Sequence, residues 1–164
     1  MRYLSYLAAI AVLAQSAAPA ASSALKARSS RPVLWHGVRV GMTEAQLRAV
    51  LPNLERDPRN NDFLGPETEV NGMKLTVGVE MLGGRVARVI LASEHALPSI
   101  LEDALRAKYG NPMKPYRCEA GVIYLCDAVW AAPAGVQVGL EHVDVQGGGM
   151  TSVTYSAPDS SGLE

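Results

Sequence analysis

Residues 68–81 read Thr-Glu-Val-Asn-Gly-Met-Lys-Leu-Thr-Val-Gly-Val-Glu-Met, and this stretch decides the fold class. Asn71-Gly72, set between two runs of strand formers, is the strongest short signal for a two-residue hairpin, because both residues tolerate the left-handed backbone the turn requires. Beyond the turn, Met73, Leu75, Val77, Val79 and Met81 alternate with Lys74, Thr76, Gly78 and Glu80. A period of two puts the first set on a buried face and the second in water. Gly83-Gly84 supplies the next turn, and Arg85 to Ala92 returns as a third strand.

Outward from this meander the pattern changes period. Pro98 to Tyr109 predicts a helix: Pro98 suits a first turn, Leu101, Ala104 and Leu105 fall at helical spacing, and Gly110 with Pro112 closes it. Strands are expected near Val122 to Trp130, Val136 to Val143 and Met150 to Ser156, with Pro133-Ala134-Gly135 and Gly147-Gly148-Gly149 as turns. Upstream, Asn53 to Pro66 reads as polar and irregular, and Val33 to Val40 as an opening strand. Between them Thr43 and Gln46 form a capping box, flanked by Met42 and Leu47 as a hydrophobic staple, and Pro52 stops the helix. The whole order predicts an α+β domain: an antiparallel sheet with both helices packed on one face, an order that also reads as a degenerate duplication of helix followed by strands.

The first residues carry a different message. Met1-Arg2, an apolar run from Leu4 to Ala14 and Ala18-Pro19-Ala20 match the tripartite pattern of a secretory signal peptide cut after Ala20. The division expected is a signal peptide over 1–20, a flexible leader over 21–32, one domain over 33–156 and a disordered tail over 157–164. No Cys lies near Ala20 and no second apolar run approaches spanning length, so neither a lipid anchor nor a membrane span is expected. The expected location is periplasmic or secreted. Loss of Arg2 leaves 14 basic against 16 acidic residues. That balance offers nothing to a nucleic-acid backbone or an anionic membrane.

Cys118 and Cys126 are the only cysteines. An even pair in an oxidising compartment reads as a disulfide, here closing a nine-residue loop worth about 2–3 kcal/mol in the chain-entropy model. The chemistry-bearing residues are otherwise sparse. His36, His95 and His142 show neither H-x-H nor H-E-x-x-H spacing, and no G-x-S-x-G elbow is present. Glu94, Glu102 and Asp103 read as helix-start acids, and Asp57 to Asp62 as a solvated loop without calcium-loop spacing. No metal, cofactor or catalytic residue is expected. Phe63, the only Phe, follows that loop as a core anchor or as an aromatic contact for a partner. Tyr124 and Trp130 share a strand face with Cys126 between them, which makes them core residues or, on a wet sheet face, a binding surface.

Gly37-Val38-Arg39-Val40-Gly41-Met42-Thr43-Glu44-Ala45-Gln46-Leu47 resembles the strand–G-M-T-x-x-Q–helix opening of two related groups. These are the β-lactamase inhibitory protein and the small lipoprotein of the outer-membrane β-barrel assembly machinery. The resemblance covers about a dozen residues. It implies helices against an antiparallel sheet and a role in binding proteins rather than in catalysis. Residues and resemblance together predict an exported, soluble, non-catalytic protein-binding or adaptor module with a protein partner in the envelope. A small hydrolase or metal-dependent enzyme built on the histidines and a carboxylate is the alternative.

Overall fold

Asn71 and Gly72 take the left-handed backbone at φ 48° and 80°, and the strands they join pair from Val70↔Met73 outward to Phe63↔Val79. This hairpin belongs to a computed structural model that describes residues 31–157, apart from 60, 61, 120–123, 146 and 147. The expected signal peptide, nearly all of the leader and the tail beyond 157 lie outside the described residues.

The elements run β1 (Val33–Trp35), β2 (Val38–Arg39), α1 (Glu44–Val50), β3 (Glu55–Arg56), β4 (Phe63–Val70), β5 (Met73–Leu82) and β6 (Arg85–Ser93). After these come α2 (Pro98–Tyr109), β7 (Lys114–Glu119), β8 (Tyr124–Ala131), a 3₁₀ turn at Pro133–Gly135, β9 (Gln137–Val145) and β10 (Gly148–Ser156). One antiparallel sheet holds eight strands in the order β3-β4-β5-β6-β10-β9-β8-β7, and β1 pairs with β2 apart from it. Two meanders, β3–β6 and β7–β10, therefore meet through β6 and β10, with Val153 opposite Leu91 and Tyr155 opposite Val89.

The described residues are mostly β, which corrects the expected α+β class. Among the described residues eight strands make one sheet, while the helices are two, of seven and twelve residues, too short to form a layer over a sheet face. The physical reason lies in segments without strand-like sequence. Glu55–Arg56, the start of β4 and Lys114–Glu119 all pair because a neighbouring strand offers unpaired N–H and C=O groups. The expected opening strand is likewise a hairpin: His36-Gly37 turns the chain between Val33–Trp35 and Val38–Arg39.

The core lies on one side of the sheet. Leu75, Val77 and Val79 from β5, Val89 and Leu91 from β6, Leu140 and Val138 from β9, and Trp130 and Ala128 from β8 are buried there. Leu47 of α1 and Leu101 and Leu105 of α2 join the same cluster. The capping box forms as expected, with Gln46 N–H donating to Thr43 Oγ1 and Thr43 N–H to Gln46 Oε1. Helix α2 is stitched to the sheet at both ends. Thr151 Oγ1 donates to the Ala96 carbonyl at 2.7 Å before the helix, and Trp130 Nε1 donates to the Gly110 carbonyl at 3.0 Å after it. Cys118 and Cys126 stand directly opposite each other on β7 and β8 and are bridged.

Candidate functional surface

The residues singled out in the sequence do not gather at one place. Phe63 is buried at 1% exposure. The Arg48 and Arg56 guanidinium carbons lie 5.1 and 5.0 Å from its ring centroid. Both arginines are held by Glu44, with Arg48 Nε at 2.9 Å and Arg56 at 2.6 Å from its carboxylate oxygens. Hydrogen bonding from Arg48, reinforced by Arg56, holds the Glu44 carboxyl below its ordinary value. Trp130 is also buried, with its indole N–H committed to Gly110. Neither ring presents surface to a partner. Tyr124 does: it opens β8 beyond the edge of the core and is exposed.

The loop after α1 is less solvated than its composition implies. Asp57 is buried, accepting from the Arg59 backbone N–H at 2.9 Å and from Arg59 Nε at 3.1 Å. Those bonds, the Arg59 side chain's first, lower the Asp57 pKa. Asp62 in turn accepts the Met81 N–H, which ties the loop to β5.

The histidines stand in three settings. His36 occupies the β1–β2 turn against Trp35, and His95 lies before α2 in a groove with Lys74 and Met150. His142, on β9, has Nδ1 2.9 Å from Thr151 Oγ1. The Thr151 proton is already given to Ala96, so His142 carries its proton on Nδ1 and donates it to Thr151. Among the described residues no group of three or more His, Cys, Asp or Glu side chains could hold a metal ion. Glu102 pairs with Arg106 one turn on, not with the helix start.

The side of the sheet away from the core is the broadest unpartnered surface. Residues of β5, β6, β10, β9 and β8 that alternate with the buried set point there, and none of those described is buried. Its middle is smooth: the register aligns Gly78, Ile90, Thr154, Gly139 and Val129 in one cross-strand row, and Thr76, Ala92, Ser152, Glu141 and Asp127 in the next. Charges flank it, with Glu80 paired to Arg88 at 2.8 Å and Lys114 paired to Asp127. At one end the row becomes apolar. Leu125 stands opposite Val143, and Val143 opposite Met150. Leu125 and Met150 are 38% and 50% exposed, so three adjacent strands offer a contiguous apolar strip to solvent.

These three residues were not among the sequence candidates, although the signal was there. In β8 both alternating sets are largely apolar: Tyr124, Cys126, Ala128 and Trp130 on one side, Leu125, Val129 and Ala131 on the other. A strand apolar on both sides needs a second cover, and here only one side has it. Among the described residues no helix is long and apolar enough to cross a membrane. In comparisons with protein-family models, with curated proteins and with solved structures, nothing matches this chain.

Proposed function

We propose that the protein is a non-catalytic protein-binding or adaptor module, exported to the periplasm or beyond, that takes a protein partner on the open face of its sheet. The observation that carries this reading is the exposed strip of Leu125, Val143 and Met150 on a face with no buried residue among those described. Interfaces are built around apolar anchors ringed by polar groups, and this strip has Ser, Thr and paired charges around it. The bridged Cys118–Cys126 pair suits an oxidising compartment, as the expected signal peptide requires. The likeness of Gly37–Leu47 to two groups that act by binding proteins belongs to the same reading.

Placement of a photo-crosslinking amino acid tests it. In an extract of the source cell's envelope, a residue at Met150 should give one discrete adduct. The same label at Met113, which is 59% exposed but outside the strip, should give none. Equal adducts from both positions, or none from Met150, would refute the reading.

A further inference from the structure

A second concavity lies on the core side of the sheet, where the β1–β2 hairpin, the end of α2 and the 3₁₀ turn come together over β10. It encloses about 400 Å³, within the range of small-molecule sites. Its walls mix aromatic and aliphatic side chains. Trp35 and His36 lie with ring centroids 4.2 Å apart, Tyr109 and Tyr155 add two more rings, and Val33, Leu34, Ala132, Pro133 and Val136 supply aliphatic wall between them. One cation stands among them: Lys108 Nζ is 5.1 Å from the Tyr109 ring centroid. Among the described residues no acidic side chain lines the cleft and Lys108 makes no ion pair.

The backbone around the cleft is held in conformations that L-residues avoid. Among the described residues three non-glycine positions have positive φ, and two of them are here: His36 at 42° in the wall, and Ala134 at 59° beside Pro133 of the wall. The comparison with the other tight hairpin is informative. Asn71-Gly72 and His36-Gly37 make the same turn, with φ of 48° and 80° against 42° and 84°. Asn is the residue that this turn prefers at its first position; His is not. The hairpin thus carries an imidazole where its own stability asks for an amide, and that imidazole is exposed and set against Trp35.

Tyr155 is buried beside Tyr109; burial first, then Tyr109, raises its pKa and keeps its phenol neutral. A planar ring finds stacking faces here, and an anionic substituent finds an unpaired ammonium beside a phenol.

We infer that this cleft is a binding site for a small planar aromatic carboxylate, with Trp35 and His36 against the ring and Lys108 and Tyr109 on the carboxylate. The site lies on the opposite side of the sheet from the Leu125–Met150 strip and does not depend on it.

The test is a titration of the isotope-labelled protein with indole-3-carboxylate, followed at the two tryptophan indole N–H signals. Trp130 is the internal reference, because it is fully buried and bonded to Gly110. The expected result is a saturable shift of Trp35 with Trp130 unmoved. Neutral indole should bind about threefold to tenfold more weakly, and Lys108→Gln should weaken the carboxylate by a similar factor. His36→Asn should keep a folded spectrum, since Asn suits the turn, and bind more weakly. The proposal is overturned if Trp35 fails to saturate by about 10 mM, a Kd too weak for a built site. It is equally overturned if indole binds as well as the carboxylate, or if either variant binds like the wild type.

Discussion

Asp57 shows how a single side chain can make stability depend on pH. Its pKa is lowered in the fold by the bonds from Arg59. A depressed carboxylate contributes fully above its unfolded value, near about 3.9, and the contribution is lost as pH falls through the folded value. Asp57→Asn should therefore lower the urea midpoint at neutral pH, and the gap to wild type should close below about pH 4. A gap that stays constant across a series of pH values would refute this. Cys118 and Cys126 make a second residue-scale case. Replacing both by Ser frees a nine-residue loop and should cost about 2–3 kcal/mol, read from urea unfolding of the variant against the oxidised wild type. The disulfide was readable from composition and compartment. The burial of Asp57 was not, because its partners are backbone groups and a close neighbour, and composition reports neither.

At the scale of elements, the legible features are those whose causes are local. The Asn71-Gly72 turn, the Thr43–Gln46 capping box and the Pro98–Tyr109 helix rest on residues within a few positions of one another. The illegible ones need distant partners. Strand β7 reads Lys-Pro-Tyr-Arg-Cys-Glu, poor in strand formers, and exists because β8 lies beside it and a disulfide crosses between them. The His36-Gly37 turn was missed because His does not announce a left-handed turn as Asn does. Helix α2 is local in origin, but its anchoring to the sheet depends on distant partners. Thr151, buried at 1% exposure, anchors the carbonyl of Ala96, itself buried. Thr151→Val keeps the shape but orphans that carbonyl and the His142 N–H, at a cost of about 1–3 kcal/mol. Amide hydrogen exchange should quicken first in the opening turn of α2. Unchanged protection there would show that packing of Leu101 and Leu105 alone holds the helix.

For the molecule as a whole, the consequential fact is an eight-stranded sheet with a core on one side only. Alternation in β5 was enough to foresee a wet face and a buried one. It could not show that β6, β10, β9 and β8 would extend the wet face into one continuous surface, since that follows from strand order. Nor could it pick out Leu125, Val143 and Met150, which are far apart in the chain and adjacent only through the register of β8, β9 and β10. Phe63 and Trp130 were attractive as large aromatics, but their size is what the core required, and both are used there.

The most direct test of this account compares two double variants immobilised in an envelope extract. Leu125→Asp with Met150→Asp places charge on the open strip, while Leu97→Asp with Met113→Asp places it on residues elsewhere that are at least as exposed. Wild type and the second variant should retain the same partner, and the first should lose it by at least about tenfold, as removal of interface anchors does. Equal retention by all three, or loss by the second pair alone, would contradict the assignment of the open sheet face as the binding surface.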